Sequence, residues 1–401
     1  MTRTVFAGGS VFDPATGSFQ TADVAVSDGR VAAIGPDLDG DDAVDCAGRW
    51  VLPGLIDAHV HLMLPHVDFA LLAQTPFSYR FFQAIGSMQA TLATGVTTVR
   101  DAGGTDLGVK RAVEGGLVAG PRMQISLTLL SQTGGHGDGW LPSGAHLDLL
   151  PTYPGMPDPI VDGPDEMRRK VREVLRAGAD VIKVATSGGV LSPTDDPTHA
   201  HFAMDELEVL VAEAASQGAF VMAHAQATEG IKNAVAAGIR SIEHGIYLDD
   251  EAIDRMREAG TWLVPTLVAP LGVVRAADAG AAIPEQSVRK AREVVEAHAD
   301  SFRRAVAGGV RVAMGTDSAV TPHGRNLDEL PLMAAGGMSP VDVLRAATTG
   351  AAELMGWEDR VGSLEPGRHA DLVVCDADPL ADLAGVRDSI VGVYQGGRRV
   401  A

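Results

Sequence analysis

Two histidines, His59 and His61, stand at the end of an apolar run that begins at Val51. Residues two apart in a β-strand point to the same side of the strand, so both imidazoles can reach one metal ion. The alternative is a strand end with two solvated or packed histidines, and a motif this short does not decide between the two. If the pair binds a metal, the rest of the chain must supply further ligands.

Further residues that can bind metals stand in or at the end of four later apolar runs. They are Lys183 in the run 179–186, His224 in 220–225, His244 in 241–245 and Asp317 in 310–318. Singly, each has an ordinary explanation: a hydrogen-bonded core histidine, a lysine that snorkels or forms a Schiff base, or an aspartate in a turn or helix cap. Together with the first pair they are six polar residues on five strands, and one shared metal centre explains all of them.

The elements that would position these residues alternate along the middle of the chain. Apolar, β-rich runs lie near residues 50–61, 95–101, 121–128, 180–186, 219–225, 239–244, 261–267 and 310–317, and helices are predicted at Asp165–Ala177, Asp205–Ser216 and Asp249–Ala259. Eight strands alternating with helices predict an α/β fold of the (β/α)8 TIM barrel type, whose active sites lie at the C-terminal ends of the strands. A doubly wound open sheet is the alternative.

Both ends of the chain contain short strands and tight turns. Asp28-Gly29 between two β-rich runs predicts a hairpin. We expect the two ends, residues 1–54 and 358–401, to form a small β-sandwich domain, and residues 55–357 to form the barrel.

Two long loops rich in glycine and proline, 131–164 and 186–203, follow the third and fourth strands. Long loops in compact domains are often functional, so their side chains are candidates for contacts with the substrate.

Composition and charge exclude several classes of protein. The chain has 401 residues, 46% hydrophobic and 21% charged, and a net charge of −20, which argues against nucleic acids and anionic membranes as partners. We expect no secretory signal and no apolar stretch of the ~20 residues that span a bilayer. Cys46 and Cys375 are the only cysteines, which favours a reducing, cytoplasmic location. The charge does not decide whether the protein forms a homo-oligomer.

Lysine is scarce in this chain, so the position of each one is informative. The lysines are Lys110, Lys170, Lys183, Lys232 and Lys290.

The motifs together resemble the amidohydrolase superfamily. The resemblance rests on the His-X-His run after Leu-Pro-Gly-Leu-Ile-Asp, the fourth-strand lysine, the two later histidines, Gly-Thr-Asp-Ser at 315–318 and the tail 362–373. The segments 97–104, 186–193, 241–245 and 263–267 are similar to its imidazolonepropionase-like, prolidase-type (Xaa-Pro dipeptidase-like) branch. The resemblance covers essentially the whole chain and is specific for the superfamily, but it carries little information about the substrate.

This resemblance implies two divalent metals, most often zinc, at the mouth of the barrel. The more buried metal would be bound by His59, His61 and Asp317, the other by His224 and His244, and a carboxylated Lys183 would bridge both. An unmodified lysine, with a pKa near 10.4, would be a cation beside two cations, whereas its carboxylated form is an anionic oxygen ligand that zinc accepts. Two such metals, ~3.5–4 Å apart, hold a bridging hydroxide at neutral pH. Asp317 would take the proton of this hydroxide and pass it to the leaving amine.

Residues near the strand ends are candidates for substrate contacts. In related enzymes a histidine at the position of His136 touches the substrate carbonyl or its tetrahedral intermediate, which makes His136 a catalytic candidate; a role in shaping its loop is the alternative. Further substrate-binding candidates are Gln226, Tyr247 and Thr266. Asp195, Asp196, His199 and His201 of the second loop either shape the pocket or form turns. Arg100 and Asp101 are expected to pair with each other, and Asp57 and Glu243 to support the ligands beside them.

The resemblance to this branch implies a metal-dependent hydrolase that cleaves an amide next to a free carboxylate. Dipeptides such as Xaa-Pro, or N-acyl amino acids, are the expected small-molecule substrates. The same hydroxide would attack a lactone, a cyclic imide such as an imidazolone, or a phosphotriester. Lys183 argues against the mononuclear deaminases of the superfamily, which usually lack a bridging lysine. A non-catalytic scaffold is the least favoured alternative, because such relatives commonly lose ligands and here all six are present.

Overall fold

The computed structural model describes residues 2–141, 143–192 and 194–401, so that Met1, Pro142 and Pro193 (the last within the predicted loop 186–203) lie outside the described residues. Its strands are β1 (Thr4–Asp13), β2 (Ser18–Ser27), β3 (Arg30–Gly35), β4 (Asp42–Asp45), β5 (Trp50–Pro53), β6 (Leu55–Val60), β7 (Val96–Asp101), β8 (Arg122–Ile125), β9 (Leu129–Leu130), β10 (Val181–Ala185), β11 (Phe220–Ala225), β12 (Ser241–His244), β13 (Trp262–Val264), β14 (Arg311–Val312), β15 (Leu372–Cys375), β16 (Ile390–Gln395) and β17 (Arg398–Arg399).

The α-helices of the same residues are α1 (Phe69–Gln74), α2 (Tyr79–Ala93), α3 (Leu107–Glu114), α4 (Pro164–Arg176), α5 (Met204–Ser216), α6 (Thr228–Ala236), α7 (Asp250–Ala259), α8 (Val268–Asp278), α9 (Glu285–Ala307), α10 (Glu329–Ala335), α11 (Pro340–Ala346), α12 (Thr349–Met355) and α13 (Val386–Ser389), and a 3-10 turn spans Asn326–Asp328. Within this described part, no helix combines the length and the hydropathy that a bilayer-spanning segment needs.

Strands from both ends of the chain form one mixed sheet. Its order is β17-β16-β15-β5-β1-β2-β3, and β4 pairs with β1. The antiparallel pairing of β5 with β15, in which Leu52 lies opposite Val373, joins the N-terminal strands to the C-terminal ones. Asp28 and Gly29 have φ angles of 53° and 74°, so the predicted hairpin between β2 and β3 is confirmed, with both turn residues in the left-handed region.

The middle of the chain forms two parallel sheets whose strands alternate with helices, which confirms the α/β class. One sheet has the order β6-β7-β8 and the other β9-β10-β11-β12-β13-β14. Backbone hydrogen bonds connect the two sheets on both sides, from Ala58 N to Met314 O (2.9 Å) and from Asp180 N to Ile125 O (2.8 Å). These connections are consistent with the predicted (β/α)8 barrel.

The parallel strands are apolar because both of their faces are buried. In β10, Ile182 and Val184 are fully buried, and Lys183 between them points to the opposite side of the strand. Burying an aliphatic side chain of this size is worth about 1.5–3 kcal/mol. The apolar neighbours therefore hold the strand in register and keep the Lys183 side chain on the opposite side of the strand.

The helices around these sheets follow the predicted apolar spacing. Met167, Val171 and Val174 are the buried apolar residues of α4, which begins one residue before the predicted start. In α7, the side chain of Asp249 accepts a backbone hydrogen bond of 2.8 Å in the first turn, and Gly260 ends the helix with a φ of 69°. A single apolar face is thus common to both helices, and local capping at both ends further defines α7.

A buried carboxylate holds the turn that leads from β13 into α8. The Oε1 and Oε2 atoms of Glu329, at the start of α10, accept hydrogen bonds of 2.8 Å from the backbone N–H groups of Leu267 and Val268. These groups belong to the first turn of α8, where N–H groups have no partner within the helix. Thr266, directly before them, has a φ of 52°. Glu329 thus stabilises a strained turn in which one predicted site residue lies.

We expect the Glu329→Ala substitution to lower the free energy of unfolding by about 2–5 kcal/mol, because each buried N–H group left without a partner costs about 1–3 kcal/mol. Chemical denaturation measures this loss. Glu208→Ala, at an exposed glutamate of α5, is the matched control and should stay within about 0.5 kcal/mol of the wild type. Equal stability of the two variants would contradict the role assigned to Glu329.

Candidate active site

One cavity at the C-terminal ends of the parallel strands is lined by all six predicted metal ligands. These are His59, His61, Lys183, His224, His244 and Asp317. They come from five separate segments of the chain, and parallel strands bring them together because their carboxyl ends lie at the same edge.

Three of these side chains meet around one carboxylate oxygen. Asp317 Oδ1 lies 3.1 Å from His61 Nε2 and 3.5 Å from His59 Nε2. His59, His244 and Asp317 also offer one ligand atom each within 4.8 Å of one another. Two imidazole nitrogens and a carboxylate oxygen that converge in this way are a donor set that zinc accepts.

The other two histidines adjoin this group. The ring centroids of His224 and His244 are 4.7 Å apart, and those of His59 and His244 are 5.1 Å apart. The two predicted sets of ligands therefore form one continuous cluster rather than two separate sites.

Hydrogen bonds on the outer side of each ring decide which nitrogen is free to bind a metal. Three rings are bound through Nδ1: His59 donates to Glu243 Oε2 (2.7 Å) and His61 to Gly103 O (2.8 Å), while His244 Nδ1 shares a hydrogen bond with Thr266 Oγ1 (2.7 Å). His224 instead donates from Nε2 to Gly188 O (3.2 Å). The free nitrogen is thus Nε2 in three of these histidines and Nδ1 in His224, since a neutral imidazole keeps one acceptor.

The protonation states of the cluster suit a cation. Burial lowers the pKa of His59 to about 4 and takes those of His224 and His244 well below their ordinary value, so that these rings are neutral at neutral pH. Burial alone would raise the pKa of Asp317, but the contact with His61 Nε2 holds it well below its usual range. Burial alone would lower the pKa of His61, but the same contact raises it, so His61 differs from the other three rings. Neutral imidazoles and an ionised carboxylate are the forms that bind divalent metals.

Lys183 is the buried polar group that lacks a partner in this cluster. Its side-chain nitrogen is inaccessible to solvent and has no hydrogen-bond partner among the described residues. Burial lowers its pKa to about 8. A buried amine without a partner is costly, so this atom needs a group that the protein chain does not provide. The donor set and the unpaired amine both fit a centre of two metals bridged by a modified lysine.

A buried network behind His59 connects the ligands to the sheet. Glu243 Oε1 accepts hydrogen bonds from Arg100 Nη2 (2.9 Å) and Ser241 Oγ (2.5 Å), while its other oxygen binds His59. The expected pairing of Arg100 with Asp101 is wrong. Neighbouring residues of a strand point to opposite faces, and so Arg100 pairs with Glu243 while Asp101 bonds to other groups, including the Leu62 N–H at 2.8 Å.

Asp57 supports the turn that carries Asp317. Its Oδ1 accepts from the N–H groups of His59 and Thr316, both at 3.1 Å, and its Oδ2 accepts from Thr316 Oγ1 at 2.6 Å. Burial raises the pKa of Asp57 to about 6. The structure thus shows the expected supporting contacts of both Asp57 and Glu243.

Three site residues have left-handed backbone conformations. The φ angles of His244, Thr266 and Asp317 are 71°, 52° and 57°. Such conformations cost on the order of 1–3 kcal/mol for residues other than glycine, and they cluster at functional sites. The strain at Asp317 is held by a 2.7 Å hydrogen bond from its N–H to His59 O.

The predicted substrate-contact residues divide into two groups. His136 and Gln226 line the cavity, and Gln226 Oε1 is buried without a hydrogen-bond partner among the described residues. Tyr247 and Thr266 do not belong to the cavity lining, and the Thr266 hydroxyl binds His244 instead. Substrate contact by any of the four stays a prediction.

Two buried residues near His136 had no strong signal in the sequence. Asp195 Oδ2 accepts a 2.8 Å hydrogen bond from His136 Nδ1, and Lys290 of α9 lies 3.4 Å from the other oxygen of that carboxylate. Asp195 stands among turn-forming residues, and the scarcity of lysine was the only hint for Lys290. By contrast, Asp196 accepts hydrogen bonds from Thr198 in a local turn.

The wall of the cavity away from the ligands is mostly apolar. Its side chains include Leu64 after β6, Phe69 of α1, Leu149 and Leu150 of the loop 131–164, Val190 of the loop 186–203 and Val273 of α8. Apart from the ligands and histidines, the charged residues among the described lining are Asp138 and Asp148, and no arginine is present there. This wall would favour apolar groups of a ligand through their removal from water.

Comparison with known proteins gives one family. The sequence profile of the family described as "Amidohydrolase family" matches residues 50–400. Ochratoxinase of Aspergillus niger is 36% identical over 364 residues, which cover 87% of this chain and 75% of that protein.

Two solved structures are similar over almost the entire chain. A prolidase complexed with N-methylphosphonate-L-proline has a TM-score of 0.91 and 35% identity, and a Xaa-Pro dipeptidase with bound methionine has a TM-score of 0.90 and 31% identity. In both cases 99% of this chain and 99% of the other are covered. The predicted resemblance to the prolidase-type branch is thereby confirmed.

Removing the hydroxyl of Thr266 tests the hydrogen bond to His244. If the cluster binds a divalent metal such as zinc, we expect Thr266→Val to weaken this binding by about 10- to 100-fold, because the Nδ1 atom of His244 loses its hydrogen-bond partner. Competition with a chromophoric chelator measures the affinity. Thr266→Ser keeps a hydroxyl and is the matched control; equal affinities for the two variants would remove Thr266 from the support of the site.

Proposed function

Since the chain belongs to the amidohydrolase family, we propose that it is a binuclear metal-dependent hydrolase that cleaves an amide bond of a small substrate carrying a carboxylate. The observation that carries this proposal is the convergence of four histidines and Asp317 on the unpaired amine of Lys183 in one cavity. A purely structural role does not explain why this buried amine lacks a hydrogen-bond partner in the described part of the chain.

We assign the ligands as the resemblance implies. His59, His61 and Asp317 would hold the more buried metal, and His224 and His244 would hold the other. Lys183 would serve as a ligand to both after carboxylation, in which its neutral amine nitrogen bonds to the carbon of carbon dioxide and loses a proton. Two zinc ions would supply a hydroxide at neutral pH and polarise the scissile carbonyl.

The protein's own residues would move the protons and orient the substrate. Asp317, an ionised carboxylate at the centre of the cluster, is proposed to accept a proton from the attacking water and to deliver it to the leaving amine nitrogen. His136, at the rim of the cluster, is proposed to contact the substrate carbonyl oxygen or the oxygen of the tetrahedral intermediate.

The proposed substrates are Xaa-Pro or similar dipeptides and N-acyl amino acids with apolar groups. Two observations support this choice: the apolar wall of the cavity, and the amino acid derivatives in the two similar structures, methionine and N-methylphosphonate-L-proline. Each CH₂ group buried against such a wall contributes about 0.8 kcal/mol, so larger apolar side chains should be preferred.

We further propose that the two parallel sheets close into one (β/α)8 barrel of residues 55–357. Residues 1–54 and 358–401 would then form the separate β-sandwich domain. The hydrogen bonds that connect both sides of the two parallel sheets support the first part, and the strand order of the mixed sheet supports the second.

A screen of dipeptides and N-acyl amino acids after growth in zinc tests the function. We expect about two zinc ions per chain, hydrolysis that stops after chelation, and recovery with zinc.

Lys183→Met should lose the bridge and hold about one ion or fewer, whereas Lys170→Met, at a helix lysine outside the cavity, should match the wild type. Hydrolysis confined to lactones or phosphotriesters would overturn the amide proposal, and full activity of metal-free Lys183→Met would overturn the metal-dependent one.

Replacing Asp317 by Asn tests the proton transfer. We expect kcat to fall by about 10²–10⁴-fold, since the amide keeps an oxygen ligand but cannot accept the proton. Steady-state kinetics at saturating zinc, with metal content measured on the same samples, separate this effect from loss of metal. Asp254→Asn, at an exposed residue of α7, serves as control, and an unchanged kcat in Asp317→Asn would exclude the acid–base role.

A further inference from the structure

Three residues from separate parts of the chain form a buried hydrogen-bonded series that ends at the cavity. Lys290 Nζ of α9 donates to Gly189 O (2.6 Å), Ser192 O (2.7 Å) and Asp195 O (3.1 Å), and it lies 3.4 Å from Asp195 Oδ1. Asp195 Oδ2 accepts from His136 Nδ1 at 2.8 Å. The exposed fractions of the Lys290, Asp195 and His136 side chains are 7%, 1% and 13%, so the series is largely shielded from water. His136 is the member that lines the cavity.

Neighbouring residues restrict the position of the His136 ring. Its plane stacks on His224 at a centroid distance of 4.1 Å and an angle of 16°. A Cβ atom at Gly189 would come within 2.3 Å of His136 Cε1, so only glycine leaves room for the ring in this position. With Nδ1–H bound to Asp195, the remaining nitrogen, Nε2, is the polar atom that His136 can offer to a ligand.

The positive charge of Lys290 offsets the free-energy cost of burying the Asp195 carboxylate. An ionised aspartate without a cation would be strongly destabilised in this environment. Lys290 supplies the compensating charge from a helix 95 residues away, and it also binds three carbonyl oxygens of the 186–203 loop. The Asp195 carboxylate thus has the His136 ring on one oxygen and the Lys290 ammonium near the other.

We propose that Asp195 is a positioning residue, anchored by Lys290, that fixes the Nδ1–H tautomer and the orientation of His136 so that Nε2 meets the substrate. This inference rests on the proposed function, because it assigns a purpose to the loop 186–203 within the same site. In this proposal Lys290 and Gly189 support the active site, Lys290 by anchoring Asp195 and Gly189 by leaving space for the His136 ring, although neither is a metal ligand.

Double-mutant kinetics with the zinc-loaded protein test the proposal on any amide substrate found in the screen. We expect Asp195→Asn and Lys290→Met each to lower kcat by about 10- to 100-fold with little change in KM or zinc content. If Asp195 acts only through His136, Asp195→Asn should have no further effect on kcat in a His136→Ala background. Additive losses, or a change confined to KM, would overturn the positioning role.

A matched variant separates this role from general damage to the loop. Asp196→Asn changes the neighbouring acid, whose bonds stay within its own turn, and it should keep the wild-type kcat. A loss in Asp196→Asn equal to that in Asp195→Asn would count against the proposal.

A spectroscopic readout makes the inference independent of substrate and activity. In protein labelled with ¹⁵N-histidine, and with His136 assigned from a His136→Gln sample, we expect the nitrogen shifts of the Nδ1–H tautomer in the wild type and their loss in Asp195→Asn. If no amide is cleaved but this signature is seen, the proposed function fails while the positioning stands. If amides are cleaved and His136 is in the Nε2–H tautomer, the positioning inference fails alone.

Discussion

The alignment of parallel strands is the constraint on which the whole site depends. Parallel strands end at one edge, and side chains two residues apart share a face, so a few residues placed at strand ends meet in space however far apart they lie in the chain. The backbone bond from Asp317 N to His59 O shows how directly the first and last of these strands are coupled. A shift of one residue in register would turn Lys183 away and bring Ile182 or Val184 to the cavity.

Two buried carboxylates near the ligands, those of Glu243 and Asp195, are tolerated because each has a cation beside it. Glu243 is neutralised by Arg100 and orients His59, and Asp195 is neutralised by Lys290 and orients His136. Both arrangements combine a carboxylate with a cation on one side and an imidazole on the other. The cation lowers the cost of burying the acid, and the acid fixes the tautomer of the ring. Removing either cation would leave an uncompensated buried charge, which is more costly than the pair itself.

The two long loops form parts of the cavity that the strands do not. The loop 131–164 contributes His136 and much of the apolar wall, while the loop 186–203 contributes Asp195 and is held against α9 by Lys290. Strands thus supply the polar floor of the cavity and loops supply most of its walls. This division separates the chemistry from substrate choice, since the walls can change without disturbing the ligands.

The sequence by itself determined the α/β class, the positions of most parallel strands and of three helices, and the six side chains of the cluster. These features follow from local patterns: the spacing of apolar residues, helix caps such as Asp249, and the unusual presence of a histidine or lysine in an apolar strand such as β10. Only the tertiary structure decided the partners of the buried polar groups. Arg100 pairs with Glu243 rather than with its neighbour, Thr266 binds His244, and Lys290 reaches Asp195. A hydrogen bond requires two atoms within about 3 Å, and that distance is set by the packing of segments far apart in the chain, which no local pattern records.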